Sequence, residues 1–266
     1  MNIRLLQRWP RAPRTTVVAV LDRDDWSACT DNIVVVDAER RTLTWVPRDL
    51  WSWRCAARIN AAFARGGHPL LQAALAELGL PVASSLVLRR CAVERALATL
   101  RITVPVPRTR RYWYPLAPRQ RLEDGARLVT FAAPQETLEG ERLHQWLGAR
   151  RSADRPAPPL PDLDRIQRQQ VLVRRLLEER FAFAAVLEDP GAAAISDPEP
   201  LELLARVRAD WRMRTLDRVA PFLCEGQQAL RLRSPLSHAL RTLLHRLRLR
   251  LRLRGLLRGL RPRSEA

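Results

Sequence analysis

Two aspartates flank a short polar loop between two predicted strands. In the segment VVAVLDRDDWSACTDNIVVV, Asp22 directly follows one β-branched apolar run and Asp31 lies just before the next. Because the ends of adjacent strands lie side by side in a sheet, the two carboxylates can approach each other. Carboxylate oxygens are the ligands that a hard cation such as Mg²⁺ prefers. Acidic turns between strands are common, so this pair indicates a Mg²⁺ site only together with other groups.

Arginines at several positions are spaced so that they could bind an anion beside this pair. Arg165 and Gln169 stand four residues apart and therefore share one face of a predicted helix. Arg48 follows a strand, Arg58 begins a predicted helix, and Arg150 lies upstream of Arg165. Guanidinium groups bind phosphate oxygens through paired N–H donors, so this set with a metal ion suits a diphosphate. Each arginine taken alone is equally typical of a solvated surface.

The elements that would position these groups alternate between strands and helices. Strands are predicted at residues 15–21, 33–36, 42–46, 82–88 and 102–106, and helices at 70–78, 92–100, 138–147, 165–186 and 201–213. A hairpin turn is expected at 37–40, and loops are expected at 108–121 and at the Pro-rich 151–161. This alternation predicts an α/β protein, a three-layer α/β/α sandwich.

The net charge of +18 calls for an anionic partner. Nucleic acid, anionic lipid headgroups and a diphosphate all satisfy that requirement. A nucleic-acid-binding protein is the less favoured alternative, because the chain has no helix-turn-helix pattern and its aromatic residues do not interleave with the basic ones. The four cysteines form no C-x-x-C pair, so we expect no structural zinc site.

Charge and composition divide the chain into three predicted parts. Residues 1–14 form a basic N-terminal segment, 15–220 form the main domain, and 221–266 form an Arg/Leu-rich tail. From residue 240 onward Leu alternates with Arg, as in an amphipathic strand, which is typical either of a frayed terminus or of docking on an anionic membrane surface. No apolar run reaches the ~18 residues of a membrane span, and no signal peptide is expected.

Six short motifs resemble those of the LytR-CpsA-Psr family of cell-envelope phosphotransferases, in the same order. The chain has VLDRD, CTDN, PRD, RINAAFARGG, LEGERLHQWLGAR and DLDRIQRQQ, over roughly residues 15–185. The family has G-x-D, R-S-D-T, P-R-D, K-I-N-A-A-Y with G-G after it, L-D-G-x-x-A-L-x-Y-x-R-x-R, and D-F-x-R-x-x-R-Q-Q. An ordered set is far more specific than any one of these motifs.

The resemblance implies a fold, an activity and a place in the cell. The fold is an α/β/α sandwich with a central mixed sheet and a long apolar pocket for a polyprenyl chain. The activity is a Mg²⁺-dependent phosphotransfer that moves a glycopolymer from a polyprenyl-pyrophosphate carrier to a cell-wall acceptor. The location is at the membrane of the cell envelope.

The resemblance also implies roles for residues by their positions. The metal-side carboxylates would be Asp22 and Asp31, and the catalytic residues would be Arg48, Asp31 and Arg165. The phosphate-binding residues would be Arg48, Arg58, Arg150, Arg165, Arg168 and Gln169. Here Arg58 replaces a lysine of the family pattern, and Arg168 supports the clamp.

The chain also departs from the family pattern at several positions. Cys29 and Gly148 stand where the pattern has arginines, and Asn32 stands where it has threonine. A shorter loop lets Asp24 or Asp25 replace Asp22 in a shifted register. A lost charge-assisted contact costs about 1.5–3 kcal/mol. A second hypothesis is therefore a catalytically weakened protein that keeps the lipid pocket and binds a polyprenyl phosphate.

Overall fold

The computed structural model describes residues 14–117, 120–156, 160–188, 191–196, 200–216, 218–224 and 227–232. The strands are β1 (Thr15–Leu21), β2 (Thr30–Asp37), β3 (Thr42–Trp45), β4 (Trp51–Ser52), β5 (Ala57–Arg58), β6 (Ser84–Leu88), β7 (Arg101–Pro105), β8 (Arg110–Pro115), β9 (Ala126–Phe131), β10 (Gln135–Glu139), β11 (Arg151–Ser152), β12 (Ala193–Ile195), β13 (Arg212–Thr215), β14 (Val219–Cys224) and β15 (Gln227–Leu232). The α-helices are α1 (Ala62–Glu77), α2 (Arg90–Ala96), α3 (Gly140–Gly148), α4 (Pro161–Glu178) and α5 (Pro200–Ala205).

A six-stranded mixed sheet in the order β12-β6-β1-β2-β3-β13 forms the centre of the fold. β1, β2 and β3 are antiparallel neighbours, whereas β6 pairs with β1 and β13 pairs with β3 in parallel. The β-branched run of β1 is buried on one face and half-buried on the other, as expected of a central strand that is covered on both sides. The predicted mixed sheet is therefore confirmed.

Helices cover both faces of this sheet. On one face, Val17 and Ala19 of β1 pack in one core with Leu71 and Leu75 of α1. On the other face, Val36 of β2 packs with residues of α4 and α5, and Leu86 and Leu88 of β6 pack with Ala92 of α2. The alternation of side chains along each strand supplies both apolar faces, and the three-layer α/β/α prediction is confirmed.

Helix α4 joins the central sheet to a second apolar cluster. Its Ile166 packs under the sheet, and its Leu172 and Leu176 pack with β7, β8, β9, β10 and α3. Pro161 at the first helical turn and the acidic Asp162 and Asp164 favour the start of the helix at this point. The helix therefore begins before the predicted residue 165 and ends at Glu178, well before the predicted residue 186.

Two other predicted elements are wrong in type. Residues 108–121 were expected to form a loop, but they contain β8, which pairs with the unpredicted β9. Tyr112 is buried between the exposed Arg111 and Trp113, and the exposed tryptophan hides the strand alternation. The helix expected at 201–213 ends at Ala205, and β13 follows it, where apolar residues alternate with arginines in W-R-M-R.

The C-terminal part of the described chain is a hairpin. Strands β14 and β15 are antiparallel, and β14 contains residue 220, where the main domain is predicted to end. Val219 and Leu230 are buried in the same core as β1 and α1. Residues 1–13 and the Leu/Arg-rich stretch from 240 onward lie outside the described residues. Among the helices that are described, none is both long and apolar enough to cross a membrane.

Gly66 and Gly67 interrupt α1 at a kink. Gly67 has φ 59° and ψ −154°, a region of the backbone map that is essentially restricted to glycine. We expect Gly67→Ala to lower the free energy of unfolding by about 2 kcal/mol in urea denaturation. Gly148→Ala is the matched control, because a Cβ there makes only ordinary contacts with Tyr114 at 3.7 Å. Equal stability of the two variants would contradict this account of the kink.

Candidate functional site

Three arginines from three separate elements converge on the carboxylate of Asp31. Arg48 Nη1 and Arg150 Nη2 both lie 2.5 Å from Oδ1, and Arg165 Nη1 lies 2.7 Å from Oδ2. Arg165 Nη2 also donates to the main-chain oxygen of Asp31 at 3.1 Å. The cluster therefore gathers residues that are separated by more than a hundred positions in sequence.

The position of each member follows from its element. Asp31 lies at the start of β2, next to the end of β1, because Leu21 pairs with Thr30. Arg48 lies in the turn after β3, where its carbonyl accepts a hydrogen bond from Asn60 N at 3.2 Å. Arg165 lies in the second turn of α4 and is only 1% exposed. Asp162, three residues earlier, accepts hydrogen bonds from Arg165 Nε at 3.0 Å and from Arg165 Nη2 at 2.8 Å.

Arg150 is presented by the end of α3, and side chains of α4 hold that end in place. Arg168 donates to the main-chain oxygens of Trp146 and Ala149, and Gln169 Nε2 lies 3.5 Å from the oxygen of Leu147. The last carbonyls of a helix have no partners within the helix, so these side chains satisfy them. Arg168 and Gln169 thereby fix the segment from which Arg150 reaches Asp31.

Burial and charge act together on the cluster. Burial alone would raise the pKa of Asp31, but Arg165, Arg150 and Arg48 hold the pKa of this carboxyl well below its usual range. Burial and the positive charge of Arg165 lower the pKa of Arg150, against the opposing effect of Asp31. The Nε atoms of Arg48 and Arg150 are buried and have no hydrogen-bond partner among the described residues. The site therefore has spare cationic donors that an anion would satisfy.

These residues stand at the wall of a cavity of about 480 Å³. Its polar lining includes Asp22, Asp31, Arg48, Arg90, Arg150 and Arg151. Its apolar lining includes Val20, Val93, Leu97, Leu122, Leu143 and Leu147. A cavity with a cationic wall and an apolar remainder suits an amphiphile with an anionic head and a hydrocarbon chain.

The residues predicted for the site fall into two groups. Asp31, Arg48, Arg150 and Arg165 form one cluster, and Asp22 lines the same cavity. Arg58, Arg168 and Gln169 lie in other contacts. Arg58 donates to Asp49 at 3.2 Å and to the main-chain oxygen of Gln228, on the C-terminal hairpin.

Asp24 and Asp25, the two alternatives to Asp22 as the first carboxylate, are bound to other groups of the chain. Asp24 Oδ1 accepts a hydrogen bond from Cys91 N at 2.6 Å, and Asp25 accepts bonds from the backbone and hydroxyl of Ser27. Neither side chain lines the cavity, whereas Asp22 does. Of the three candidates, Asp22 is the one that lines the cavity together with Asp31, and its role as a metal ligand stays a prediction.

The fit of a Mg²⁺ ion rests on Asp22. Its Oδ1 is buried and has no hydrogen-bond partner among the described residues, so it can serve as a ligand. The carboxylate of Asp31 is already bound by three guanidinium groups. Within the described ranges, no group of three or more His, Cys, Asp or Glu side chains could hold a metal ion. Most oxygen ligands of a Mg²⁺ ion would therefore come from the substrate, and the ion stays a prediction.

Several cavity residues were not predicted from the sequence, and all of them except His144 lie outside the six motifs. Arg90 and Glu94 come from α2, Trp113 and Tyr114 from β8, and His144 from α3. Arg90 reaches the cavity because β6 runs parallel to β1, so that both strands end at the same edge of the sheet. The pairing of β1 with β6 spans more than sixty residues and cannot be read from local periodicity.

No protein-family model and no curated protein sequence matches the chain. Solved structures do resemble its fold. A transcriptional regulator from Enterococcus faecalis superposes with a TM-score of 0.55 and 13% identity, over 83% of this chain and 81% of that one. TagU of Bacillus subtilis gives 0.52 and 16%, over 88% and 96%.

A further similar structure is TagT of Bacillus subtilis, with a TM-score of 0.54 and 15% identity over 85% of this chain and 88% of that one. TagT bound to LI-WTA gives 0.55 and 16% over the same shares. Identities at this level establish the fold and no more. The chain therefore has the fold of these structures, which is the fold that the LytR-CpsA-Psr resemblance of its six motifs implied.

Proposed function

We propose that the chain binds a polyprenyl-diphosphate-linked glycan and transfers the phosphorylated glycopolymer to a cell-wall acceptor. The observation that carries this proposal is the convergence of Arg48, Arg150 and Arg165 on Asp31 at the wall of an apolar cavity. The diphosphate would bind at the cationic wall and the polyprenyl chain would fill the apolar part. The structure of TagT bound to LI-WTA, a protein of the same fold, supports a glycopolymer as the partner.

The accessible arginines differ from the buried one in what they can do. Arg48 and Arg150 line the cavity, so their guanidinium groups can contact phosphate oxygens directly. Arg165 is almost fully buried behind Asp31 and is held by Asp162, so it acts as a positioning residue. Fixed positive charges in a partly buried site stabilise the charge that develops on phosphate oxygens during transfer.

The reaction exchanges one phosphorus–oxygen bond for another. An acceptor hydroxyl oxygen forms a bond to the phosphorus that carries the glycan, and the hydroxyl proton is released. The bond from that phosphorus to the bridging oxygen breaks, and polyprenyl monophosphate leaves. Arg48 and Arg150 would neutralise the charge on the leaving phosphate. A Mg²⁺ ion held by Asp22 would supply further charge neutralisation on the phosphate oxygens.

A binding protein that does not turn over its ligand is the second candidate. Gly148 lines the cavity without a side chain where the family pattern has an arginine. Asp31 is paired with three guanidinium groups, so its carboxylate is committed to holding them. Tight binding of a polyprenyl diphosphate without release of polyprenyl monophosphate would support this candidate over the enzyme.

The test is binding of a polyprenyl diphosphate to wild-type protein and to Arg48→Ala, followed by an assay of polyprenyl monophosphate release. We expect Arg48→Ala to lower affinity by about tenfold to a hundredfold, because it removes a charge-assisted contact. Arg54→Ala is the matched control, since Arg54 is exposed, lies two residues after the end of β4 and does not line the cavity. If Arg48→Ala binds and turns over like the wild type, the site assignment is wrong.

A further inference from the structure

A further arginine, Arg90, lines the cavity from outside the arginine cluster. Arg90 is the first residue of α2, directly after the β6 edge, and it lines the same cavity as Asp31 and Arg48. Because β6 and β1 are parallel neighbours, their carboxyl ends place Arg90 beside Asp22. The Arg90 guanidinium donates to the main-chain oxygen of Asp22 at 3.3 Å. Arg90 therefore reaches the cavity from an element that contributes nothing to the Asp31 cluster.

The contacts of the Arg90 guanidinium fix its orientation but leave one of its nitrogens free to donate in the described part of the chain. Its Nε donates to Glu94 Oε1 at 2.6 Å, on the next turn of α2, and this contact fixes the plane of the group. Within the described ranges no acceptor is bonded to Nη2. The side chain is 49% exposed, so the free edge is accessible to a ligand. Arginine presents paired donors along such an edge, which matches the geometry of a phosphate group.

Arg90 also lies close enough to the Asp31 cluster to interact with it. Burial lowers the pKa of the Arg90 guanidinium, but the carboxylate of Glu94 raises it and that of Asp31 raises it further. Gly148 lies beside Tyr114 and leaves that part of the cavity lining without a side chain. The lining therefore has cationic groups from α2 as well as from the Asp31 cluster. Two linked phosphates can contact both sets of guanidinium groups at the same time.

We propose that Arg90 binds the second phosphate of a diphosphate whose first phosphate lies on Arg48 and Arg150, and that this contact selects diphosphates over monophosphates. The inference rests on the proposed function, because it concerns the same cavity. It adds a specificity-determining residue and explains how the site discriminates the diphosphate carrier from the monophosphate that remains after transfer.

The experiment compares farnesyl diphosphate with farnesyl monophosphate as short, soluble probes, by calorimetry or by displacement of a fluorescent prenyl analogue. Wild-type protein should prefer the diphosphate. Arg90→Gln should lower affinity for the diphosphate by about tenfold, as expected for one charge-assisted contact, and leave monophosphate binding within about twofold. Arg90→Lys keeps the charge without the paired donors and should retain part of the preference.

Gly148→Arg in the Arg90→Gln background gives a test in the opposite direction. A Cβ at residue 148 meets only Tyr114, at 3.7 Å, and Gly148 lines the cavity, so a side chain can begin there without a close contact. A new guanidinium there should restore much of the preference for the diphosphate. Arg101→Gln is the matched control, since Arg101 also pairs with a glutamate, at 3.5 Å, but lies on β7 outside the cavity lining.

The possible outcomes separate the two proposals. Diphosphate preference that survives in Arg90→Gln overturns the role of Arg90 and leaves the proposed function intact. An equal loss for both probes shows that Arg90 shapes the shared part of the site, and this also overturns selection by Arg90. If wild-type protein binds neither probe, the proposed function fails and the inference fails with it. Thermal unfolding of each variant identifies any loss that comes from misfolding.

Discussion

Asp31→Asn should lower the free energy of unfolding by about 3 kcal/mol or more in urea denaturation. Removing one partner of an ion pair leaves the other charge uncompensated, and here one half-buried carboxylate balances the buried Arg165 and the half-buried Arg48 and Arg150. Asparagine keeps the size of the side chain, so the loss reports charge rather than packing. Asp25→Asn is the matched control, because Asp25 is exposed and bonds only within its own loop, to Ser27.

An anion should restore the stability of this variant more than that of the wild type. Without the Asp31 carboxylate, the three guanidinium groups form a vacant site for inorganic diphosphate. A ligand at a hundred times its dissociation constant stabilises the folded state by about 2.7 kcal/mol, and the variant should bind the anion more tightly. The measurement is the urea midpoint of both proteins with added sodium diphosphate, with sodium chloride at matched ionic strength as control. Shifts no larger than those in sodium chloride, in both proteins, would show that the arginines do not form an anion site, and equal shifts above that level would contradict the expected gain in Asp31→Asn.

Lowering the pH should reduce the difference in unfolding free energy between the wild type and Asp31→Asn. The pKa of Asp31 is lower in the folded state than the ordinary value near 3.8, so its stabilising contribution is complete above about pH 4. The contribution is lost as the pH falls from there toward the folded-state pKa. Asp31→Asn has no group that titrates at this position, so the stability difference between the proteins should shrink below about pH 4.

The sequence predicted the central strands from local signals. The run Thr15–Leu21 is bounded by arginine and aspartate, and its strand limits are the observed ones. Asp31 and Arg48 follow from strand ends, and Arg165 follows from its helical spacing to Gln169, but the sequence indicated them as metal and phosphate ligands and not as partners of one another. The motif order then linked residues that are far apart in the chain.

The sequence could not show which partner each arginine takes. Arg165 and Arg168 lie on the same helix, but Arg165 reaches Asp31 whereas Arg168 reaches carbonyls at the end of α3. Helical spacing predicts which way each side chain points, but the position of α3 decides which partner that side chain meets. Arg90 was missed for a related reason, since only the parallel pairing of β6 with β1 brings it to the cavity.

Arg168→Met should lower the free energy of unfolding by about 3 kcal/mol, the second large effect that the structure predicts. The buried guanidinium donates to the oxygens of Trp146 and Ala149 and lies over the ring of Tyr112, with 4.5 Å from Cζ to the ring centroid. Methionine fills similar space but leaves both carbonyls without a donor. Arg174→Met is the matched control, on the same helix, where a single exposed hydrogen bond to Ala209 is lost.

The same variant should weaken diphosphate binding, although Arg168 does not line the cavity. The reason is that Arg168 holds the end of α3, and Arg150 follows that end by two residues. If Arg168 acts through Arg150, the losses of affinity in Arg168→Met and Arg150→Met should not add in the double variant, because the second change removes a contact already misplaced. Fully additive losses would mean that Arg168 reaches the ligand by a route independent of Arg150. Binding of farnesyl diphosphate to the four proteins of this cycle, under conditions where each is folded, distinguishes a positioning residue from a phosphate ligand.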